Sequence, residues 1–406
     1  MSSHNITATS PLPRPTLWLM AVACGVSVAN ICYNQPLLGA FAAEFHATPA
    51  QVGWVAMASQ AGYGLGLLFF LPLGDIRERS RLVLTLVLAG AVTLALTAMV
   101  PTLGLLIAIN LLVGATSMSA QVLIPFAVEL SPPERRGHTI GVMMTGILGG
   151  ILLARVLAGI VGDHLGWRAM YVIAAGLMAA LALGLRGRLP QRTPTLRLPY
   201  RQLMASLWDV FQSQPRLRRP ALVTALSFGS FTAFWTALPF VMAEYFHRGA
   251  TEAGLFGIVG LVGALVAPYA GRFADKRGAT FTVTAALVLT LAAFGLMDAW
   301  LSIPGLVLGV LLMDVGVQSV QVAEQGNVLA LMPEARSRLN TLYMVARFIG
   351  GALGSLAGAY AWSYGRWPAV CAVAIGVNVV ALAVHFAAQP RPVPAALPVE
   401  EFSEAA

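Results

Sequence analysis

Hydrophobic positions in this chain are grouped into runs of about twenty residues, the length that a membrane-crossing helix needs. Cutting at charged or turn-rich breaks gives twelve runs. Their approximate spans are 17–41, 51–73, 82–100, 104–130, 138–162, 168–187, 220–245, 252–270, 279–298, 303–332, 339–362 and 367–387. At a rise of 1.5 Å per residue, each is long enough to cross ~30 Å of hydrocarbon. The pattern therefore predicts an all-α membrane protein with twelve transmembrane helices.

The composition excludes the other classes of protein. Hydrophobic residues make up 58% of the 406 residues and charged residues only 10%, against about 25% charge in a soluble domain. Disorder is excluded by the same apolar content, and the runs are too long for the strands of an outer-membrane barrel. The basic residues lie in short clusters between the runs, so we expect a lipid bilayer as the surroundings and no nucleic acid as a partner.

The basic clusters also predict an orientation. If the N-terminus is cytoplasmic, twenty Lys and Arg residues lie in the inner segments and three in the outer loops, while Arg155 and Arg347 lie inside apolar runs. This is a strong positive-inside bias. The apolar stretch after Arg14 is too long for a signal-peptide core. We therefore expect a multi-pass membrane protein with both termini in the cytoplasm.

The two halves of the chain repeat at an offset of 200 residues. Asp75 matches Asp275, Gly150 matches Gly350, and Ser119, Gln121 and Val122 match Ser319, Gln321 and Val322. The expected domains are a cytoplasmic tail (1–16), a six-helix bundle (17–188), a cytoplasmic linker (189–219), a second six-helix bundle (220–388) and a cytoplasmic tail (389–406). Tyr200–Gln214 fits an amphipathic surface helix with Leu203, Leu207 and Phe211 on one side, or a solvated basic linker. Two six-helix halves are the plan of a transporter with a central cavity.

Two loop segments carry a family resemblance. Residues 71–81 and 271–278 resemble the G-x-x-x-D-(R/K)-x-G-(R/K) inner-loop motif of the major facilitator superfamily, and residues 25–38 resemble the first helix of its bacterial efflux-type branch. The sequence departs from the branch in two places. Asn110 stands where an Arg is common in helix four, and Gly146–Gly150 lacks the Pro of many antiporters. The resemblance implies the twelve-helix fold and alternating access, and it leaves the coupling ion open.

The resemblance also implies a conformational latch. In the family, the residues that match Asp75, Arg79 and Glu129 form a charge cluster that closes the cytoplasmic face in the outward-open state. Asp275 is the repeat of Asp75 in the second half. The alternative is a static, solvated ion cluster that only sets the topology.

Ionisable residues inside the runs are candidates for the transport pathway, because a charge in the bilayer is costly without a cavity or a partner. Asp314 lies about 15 Å deep in helix ten, and the stripe around it reads as cavity lining, with Asp314 or Glu324 as a proton carrier. Asp314 could instead be a structural partner of an arginine. Arg155 and Arg347 could bind an anionic or polar solute or pair with an acid, and Arg155 could snorkel outwards. The remaining pathway candidates are Asn30, Tyr33 and Asn34 on helix one, Asn110 and Gln121 on helix four, and Gln318 and Gln321 on helix ten.

No motif indicates a cofactor, a metal or enzymatic chemistry. The chain has no GxxxxGK[ST] loop for ATP, no HExxH spacing and no CxxC pair. The hypothesis is a monomeric secondary transporter that exports a small organic solute by alternating access, with protons as the candidate counter-ion. The alternatives are proton-coupled uptake and a sensor that binds a solute without moving it.

The predicted orientation can be measured by labelling. With Cys24, Cys32 and Cys371 replaced, a single cysteine placed at Gln202 in the linker should react with a membrane-impermeant maleimide only in inverted vesicles. A cysteine placed at Arg248, in a predicted outer loop, is the matched control and should react in intact cells. Labelling of the linker position from outside the cell would refute the topology.

Overall fold

A computed structural model describes residues 13–190, 199–264 and 276–387, together with positions 269 and 272. All regular structure in these residues is helical. We number the membrane spans in the order of the predicted runs. Spans 1 to 10 are Arg14–Glu44, Pro49–Ile76, Arg79–Ala98, Leu103–Glu129, Pro133–Leu165, Trp167–Leu185, Pro215–Phe246, Ala250–Ala264, Ala279–Ala299 and Ile303–Ala330. Span 8 is described only as far as Ala264.

Spans 11 and 12 form one continuous assignment, Arg336–Ala387, of 52 residues. A straight helix of that length would be about 78 Å long, more than twice the hydrocarbon thickness. The backbone breaks at Gly365 (φ −146°) and Arg366 (φ 56°). This break separates span 11 (336–364) from span 12 (367–387), and the all-α fold expected from the twelve runs is confirmed.

Spans 1 and 4 are broken near their middles. Span 1 consists of Arg14–Ala29 and Asn34–Glu44 with a turn between them, and span 4 of Leu103–Thr116 and Ser119–Glu129. Pro36 lies in the first turn of its helix, where the missing N–H costs little. Irregular backbone at membrane depth is tolerated where it is buried in protein or lines a cavity, so the breaks mark the interior of the bundle.

Small residues bring two pairs of helices into backbone contact. Spans 1 and 5 meet where a β-carbon on Gly150 would lie 2.2 Å from the carbonyl oxygen of Gly25. Spans 7 and 11 meet in the same way, because a β-carbon on Gly350 would lie 2.1 Å from the carbonyl oxygen of Ala225. Gly25 and Gly150 are offset by 200 residues from Ala225 and Gly350. The sequence repeat therefore corresponds to the same helix packing in both halves.

The linker contains a helix, Tyr200–Ser213, so the helical alternative is the one found. Leu203, Leu207 and Val210 are buried against the protein. Phe211 was expected on that side but is 38% exposed, because a spacing of i, i+4, i+7 follows one helix face more closely than i, i+4, i+8. The hydroxyl of Tyr200 donates to the Phe69 carbonyl of span 2 at 3.0 Å, which ties the linker helix to the first half.

The bundle has two ends that later sections need. We call the end with Asp75, Glu129 and the linker helix the Asp75 face, and the end with Glu44, Asp163 and Asp298 the Asp163 face. The tails at 1–12 and 388–406 and the loop residue Asp275 lie outside the described residues.

The close contact between spans 7 and 11 gives a stability prediction. A β-carbon on Gly354 would lie 2.0 Å from the Gly229 carbonyl oxygen, so Gly354→Ala should lower the free energy of unfolding by roughly 1–3 kcal/mol. The matched control is Gly376→Ala on span 12, where a β-carbon meets nothing within 4 Å. Thermal unfolding in detergent should show a lower Tm for the first variant and an unchanged or higher Tm for the second. Equal Tm values for the two variants would show that the close contact between spans 7 and 11 does not contribute to stability.

Candidate functional site

A row of aromatic rings runs along span 7 inside the bundle. Phe228, Phe231 and Trp235 are three and four residues apart, and their ring centroids are separated by 5.4 Å and 6.0 Å. The guanidinium carbon of Arg347 lies 3.8 Å from the centre of the Phe228 ring. The guanidinium carbon of Arg155 lies 3.8 Å from the centre of the Trp235 ring. The row therefore carries a cation at each end.

The two arginines come from different halves of the protein. Arg155 belongs to span 5, is 5% exposed and donates from Nε to Gln35 Oε1 of span 1 at 2.8 Å. Arg347 belongs to span 11, and its buried Nε has no hydrogen-bond partner among the described residues. Within those residues neither arginine forms an ion pair. Aromatic faces stabilise each buried cation by up to about 2 kcal/mol. The hydrogen-bonding capacity of the two guanidinium groups remains largely unused among the described residues.

Asp314 lies near the Arg155 end of the row. It is 5% exposed, and one carboxylate oxygen, Oδ2, has no hydrogen-bond partner in the described part of the chain. A β-carbon on Gly260 would lie 3.0 Å from this oxygen and 3.4 Å from the Trp235 ring. Within the described part of the chain, no arginine lies within 4 Å of the Asp314 carboxylate, so the alternative of a structural partner for Asp314 stays a prediction. The carboxyl group is therefore buried beside the row with a free oxygen.

Other buried polar atoms without partners come from both halves. They include both side-chain atoms of Asn30, Oδ1 of Asn34, Oε1 of Gln60 and Nε1 of Trp235. A buried polar group that makes no hydrogen bond costs about 1–3 kcal/mol, so such groups are few in proteins and tend to lie at functional sites. We use the name central cluster for the set of buried residues that share this property or carry a cation of the row: Asn30, Asn34, Gln60, Arg155, Trp235, Asp314 and Arg347.

Among the other predicted pathway residues, Gln121 lies at a contact between the two halves. Gln121 donates to the hydroxyl of Tyr63 at 3.4 Å, and the Tyr63 ring packs on Phe348 of span 11 at 4.3 Å. Tyr33 is buried, while Gln318 and Gln321 are half-buried on span 10. The Tyr63–Phe348 contact joins the two halves next to Arg347.

Asn110 and Glu324 occupy other places. The amide of Asn110 donates to the Leu106 carbonyl of its own helix at 2.9 Å. Glu324 is completely buried and accepts from Asn327 at 2.9 Å, with Arg219 and His385 also beside it. Spacing along span 10 grouped Glu324 with Asp314, but the structure gives it separate partners. Its role as a proton carrier stays a prediction.

The three charged residues of the expected latch are brought together at the Asp75 face. Arg79 pairs with Glu129, lies 3.5 Å from Asp75 and donates from Nε to the Gly74 carbonyl at 3.0 Å. All three belong to the first half, where they connect the loop after span 2 to the end of span 4. Their role in closing the Asp75 face stays a prediction, and Asp275 lies outside the described residues.

At the opposite end, the two halves contact each other through a carboxylate that the sequence analysis did not single out. Asp163, at the end of span 5, accepts hydrogen bonds from the backbone N–H groups of Ala250 (3.0 Å) and Thr251 (2.7 Å), which begin span 8. Nearby, the N–H of Ala50 donates to Ser363 Oγ at 3.0 Å. The Asp163 face is therefore closed. The start of span 8 is capped by a residue of the other half, so the sequence around span 8 does not reveal the cap.

Two six-helix halves around a buried polar cluster define a helical membrane transporter. The sequence model of the Major Facilitator Superfamily, a family of membrane transporters, matches residues 17–219 and 220–405 of this chain. The chain belongs to this superfamily, as the loop motifs indicated, and it is a transporter and not an enzyme.

Relatives and solved structures agree with this assignment. The chain is 40% identical over 370 residues to the uncharacterized transporter YgaY of Escherichia coli O157:H7, which covers 90% of this chain and 93% of YgaY. It is 26% identical over 330 residues to a protein of Helicobacter pylori named as a sugar efflux transporter, covering 79% and 82% of the two chains. A crystal structure of a bacterial homolog of the human lysosomal transporter Spinster, inward-facing and unoccupied, matches with a TM-score of 0.77 at 13% identity, covering 94% and 97%. This last likeness shows the fold alone.

The Asp163 contact gives a prediction for the closed face. Asp163→Ala removes a helix cap worth about 1 kcal/mol, so the closed population should fall about fivefold relative to the open one. Spin labels at Leu165 and Tyr364, exposed positions on the two halves at this face, should show a larger long-distance population by pulsed electron paramagnetic resonance.

Asp298→Ala is the matched control for that measurement. Asp298 is an exposed acid at the same face with no hydrogen bond or ion pair to the described residues, so its removal should leave the distances unchanged. Identical distance distributions for both variants would contradict a clasping role for Asp163.

Proposed function

We propose that this protein is a secondary active exporter of the bacterial inner membrane that moves a small organic solute by alternating access, in exchange for protons. The observation that carries the proposal is the aromatic row with Arg155 from one half at one end and Arg347 from the other half at the opposite end. A solute that contacts both arginines contacts both halves. Its binding then favours one arrangement of the halves over another, which is what a carrier requires.

The central cluster suits a molecule with both polar and apolar parts. Both amide atoms of Asn30 and the amide oxygens of Asn34 and Gln60 have no partner among the described residues, while Phe231 and Trp235 offer ring faces. Binding sites of this kind combine apolar walls with a few convergent polar groups. Export is supported by the efflux-like first helix and by the name of the Helicobacter pylori relative.

Alternating access gives the two faces different roles. The Asp75 face carries the basic loops and is cytoplasmic in this proposal, with residues 17–188 and 220–388 as the moving halves and 189–219 as the linker between them. Asp163 and the contacts around it hold the outer face closed. The Asp75–Arg79–Glu129 latch would hold the cytoplasmic face in the opposite state. Both sets are polar and partly exposed, so each is worth only a few kcal/mol and can be released.

A second candidate is proton-coupled uptake of an organic anion, and the position of Asp314 favours it. Asp314 lies near the Arg155 end of the row. A proton on Asp314 removes a negative charge there, which leaves Arg155 available to an incoming carboxylate or phosphate. Proton and anion would then bind together, as symport requires.

The direction of the driving gradient separates the two candidates. Proteoliposomes of the full chain are loaded at acidic internal pH, and solutes are chosen by a thermal-shift screen of drugs, sugars, nucleosides, amino acids and organic acids. An antiporter should accumulate its solute when the inside is acidic, and a symporter when the outside is acidic. Solute flux that ignores the gradient in both directions would remove the proton claim.

Asp314→Asn tests the proton carrier. Asparagine keeps the shape of the side chain but cannot take up a proton in the cycle, so pH-driven accumulation should fall at least tenfold while solute counterflow at equal pH persists. The matched control is Asp209→Asn on the exposed side of the linker helix, which should transport like the unmodified protein. Full pH-driven accumulation by Asp314→Asn would refute the assignment.

A further inference from the structure

A second buried group of ionisable side chains lies in the second half, apart from the central cluster and near the Asp75 face. Glu324 of span 10 and His385 of span 12 are both completely buried, with His385 Nδ1 3.6 Å from Glu324 Oε1. Arg219, at the start of span 7, lies 3.5 Å from both carboxylate oxygens. The Asn327 amide donates to Oε2 at 2.9 Å. The carboxylate thus has one full hydrogen bond and two longer ionic contacts.

The other ring nitrogen of His385 fixes which nitrogen carries hydrogen. Nε2 lies 3.2 Å from the Thr280 carbonyl oxygen of span 9. A carbonyl oxygen can only accept, so Nε2 carries the hydrogen. In a neutral imidazole, Nδ1 then has a bare lone pair, and that lone pair faces the Glu324 oxygen. Nδ1 also has no hydrogen-bond partner among the described residues.

A single proton bound between His385 Nδ1 and Glu324 Oε1 removes the repulsion between these two acceptors. Two acceptors that face each other in a buried site repel, whereas a hydrogen between them makes a charge-assisted hydrogen bond. Among the described residues, the other donor to this oxygen is Arg219, at a distance of 3.5 Å. Asn327 donates to the other carboxylate oxygen, and Tyr343 of span 11 donates to the Gln321 carbonyl at 3.0 Å and contacts Thr224. Arg219 approaches the carboxylate from the start of span 7.

Comparison of the two halves shows that this cluster has no counterpart at the same depth in the first half. The latch residues Arg79 and Glu129 correspond, at the 200-residue offset, to Ala279 and Leu329, which carry no charge. Glu324 lies five residues earlier on span 10, deeper in the bundle, and is fully buried where Glu129 is 44% exposed. Water screens the charges of the first half, while those of the second half depend on their own partners.

We propose that Glu324 and His385 form a proton-binding site separate from the central cluster, in which protonated His385 competes with Arg219 for the Glu324 carboxylate. With the site empty, Glu324 attracts Arg219 and holds the start of span 7, directly after the linker, against span 10. With the proton bound, Glu324 pairs with His385 and its hold on Arg219 weakens. Proton binding thereby changes how firmly span 7, which carries the aromatic row, is fixed at the Asp75 face.

Histidine resonances provide a test that does not depend on transport. The full chain, labelled with ¹⁵N-histidine, is placed in lipid nanodiscs and titrated, and the His385 signal is identified by its loss in His385→Gln. At high pH it should report a neutral ring with hydrogen on Nε2, and at low pH an imidazolium. In Glu324→Gln the midpoint of the His385 titration should move towards lower pH by about one unit or more, which corresponds to a tenfold loss of proton affinity.

Arg219→Gln gives the opposite shift and covers the case in which Glu324→Gln does not fold. Removing the competing cation should move the His385 titration about one pH unit towards higher pH. His138→Gln, an exposed histidine at the same face, is the control and should leave the His385 titration unchanged. A His385 ring that stays neutral over the whole range in the unmodified protein, or that titrates identically in Arg219→Gln, would overturn the proposal.

Discussion

Burial of charge inside a low-dielectric bundle is the constraint on which the interior of this protein depends. An isolated ion in hydrocarbon is too costly to persist, so each must be paired, spread over a polarisable surface or neutralised. The protein uses three different solutions. Arg155 and Arg347 lie on ring faces, Glu324 is surrounded by Arg219, Asn327 and His385, and Asp314 keeps one oxygen without a partner. The first solution fixes a charge in place, whereas the other two leave a group whose charge a proton can change.

The repeat between the halves extends to packing but not to the charges buried inside the spans. The Gly25–Gly150 contact of spans 1 and 5 recurs as the Ala225–Gly350 contact of spans 7 and 11. Packing of small residues holds helices close without interlocking long side chains, which suits halves that tilt as units. The ionisable groups inside the spans differ between the halves, because Arg155, Asp314, Glu324 and Arg347 align with uncharged residues at the 200-residue offset. Shared packing supplies one architecture, and the unshared charges allow its two halves to do different things.

The sequence predicted what depends on one helix at a time. Apolar run length located the spans, and the family resemblance, not spacing along one helix, grouped Asp75 with Arg79 and Glu129, which lie together in the structure. The sequence could not predict contacts between distant segments, such as Gln35 with Arg155 or Glu324 with His385. A helical pattern states which side chains share a face, but the helix that packs against that face is decided by the whole bundle. For the same reason Glu324 was grouped with Asp314, and the capping of span 8 by Asp163 was missed.

The two ends of the aromatic row differ in a way that bears on coupling. Arg347 and Phe228 belong to the same half, so their contact survives any rigid movement between the halves. Arg155 and Trp235 belong to opposite halves, and a movement that separates spans 5 and 7 must break their contact at a cost of up to about 2 kcal/mol. A solute bound along the row with a group that accepts from Arg155 offsets that cost in only one arrangement. In the proposed function, the Arg347 end would therefore hold the solute in place, while the Arg155 end would make the position of the halves depend on whether the solute is bound.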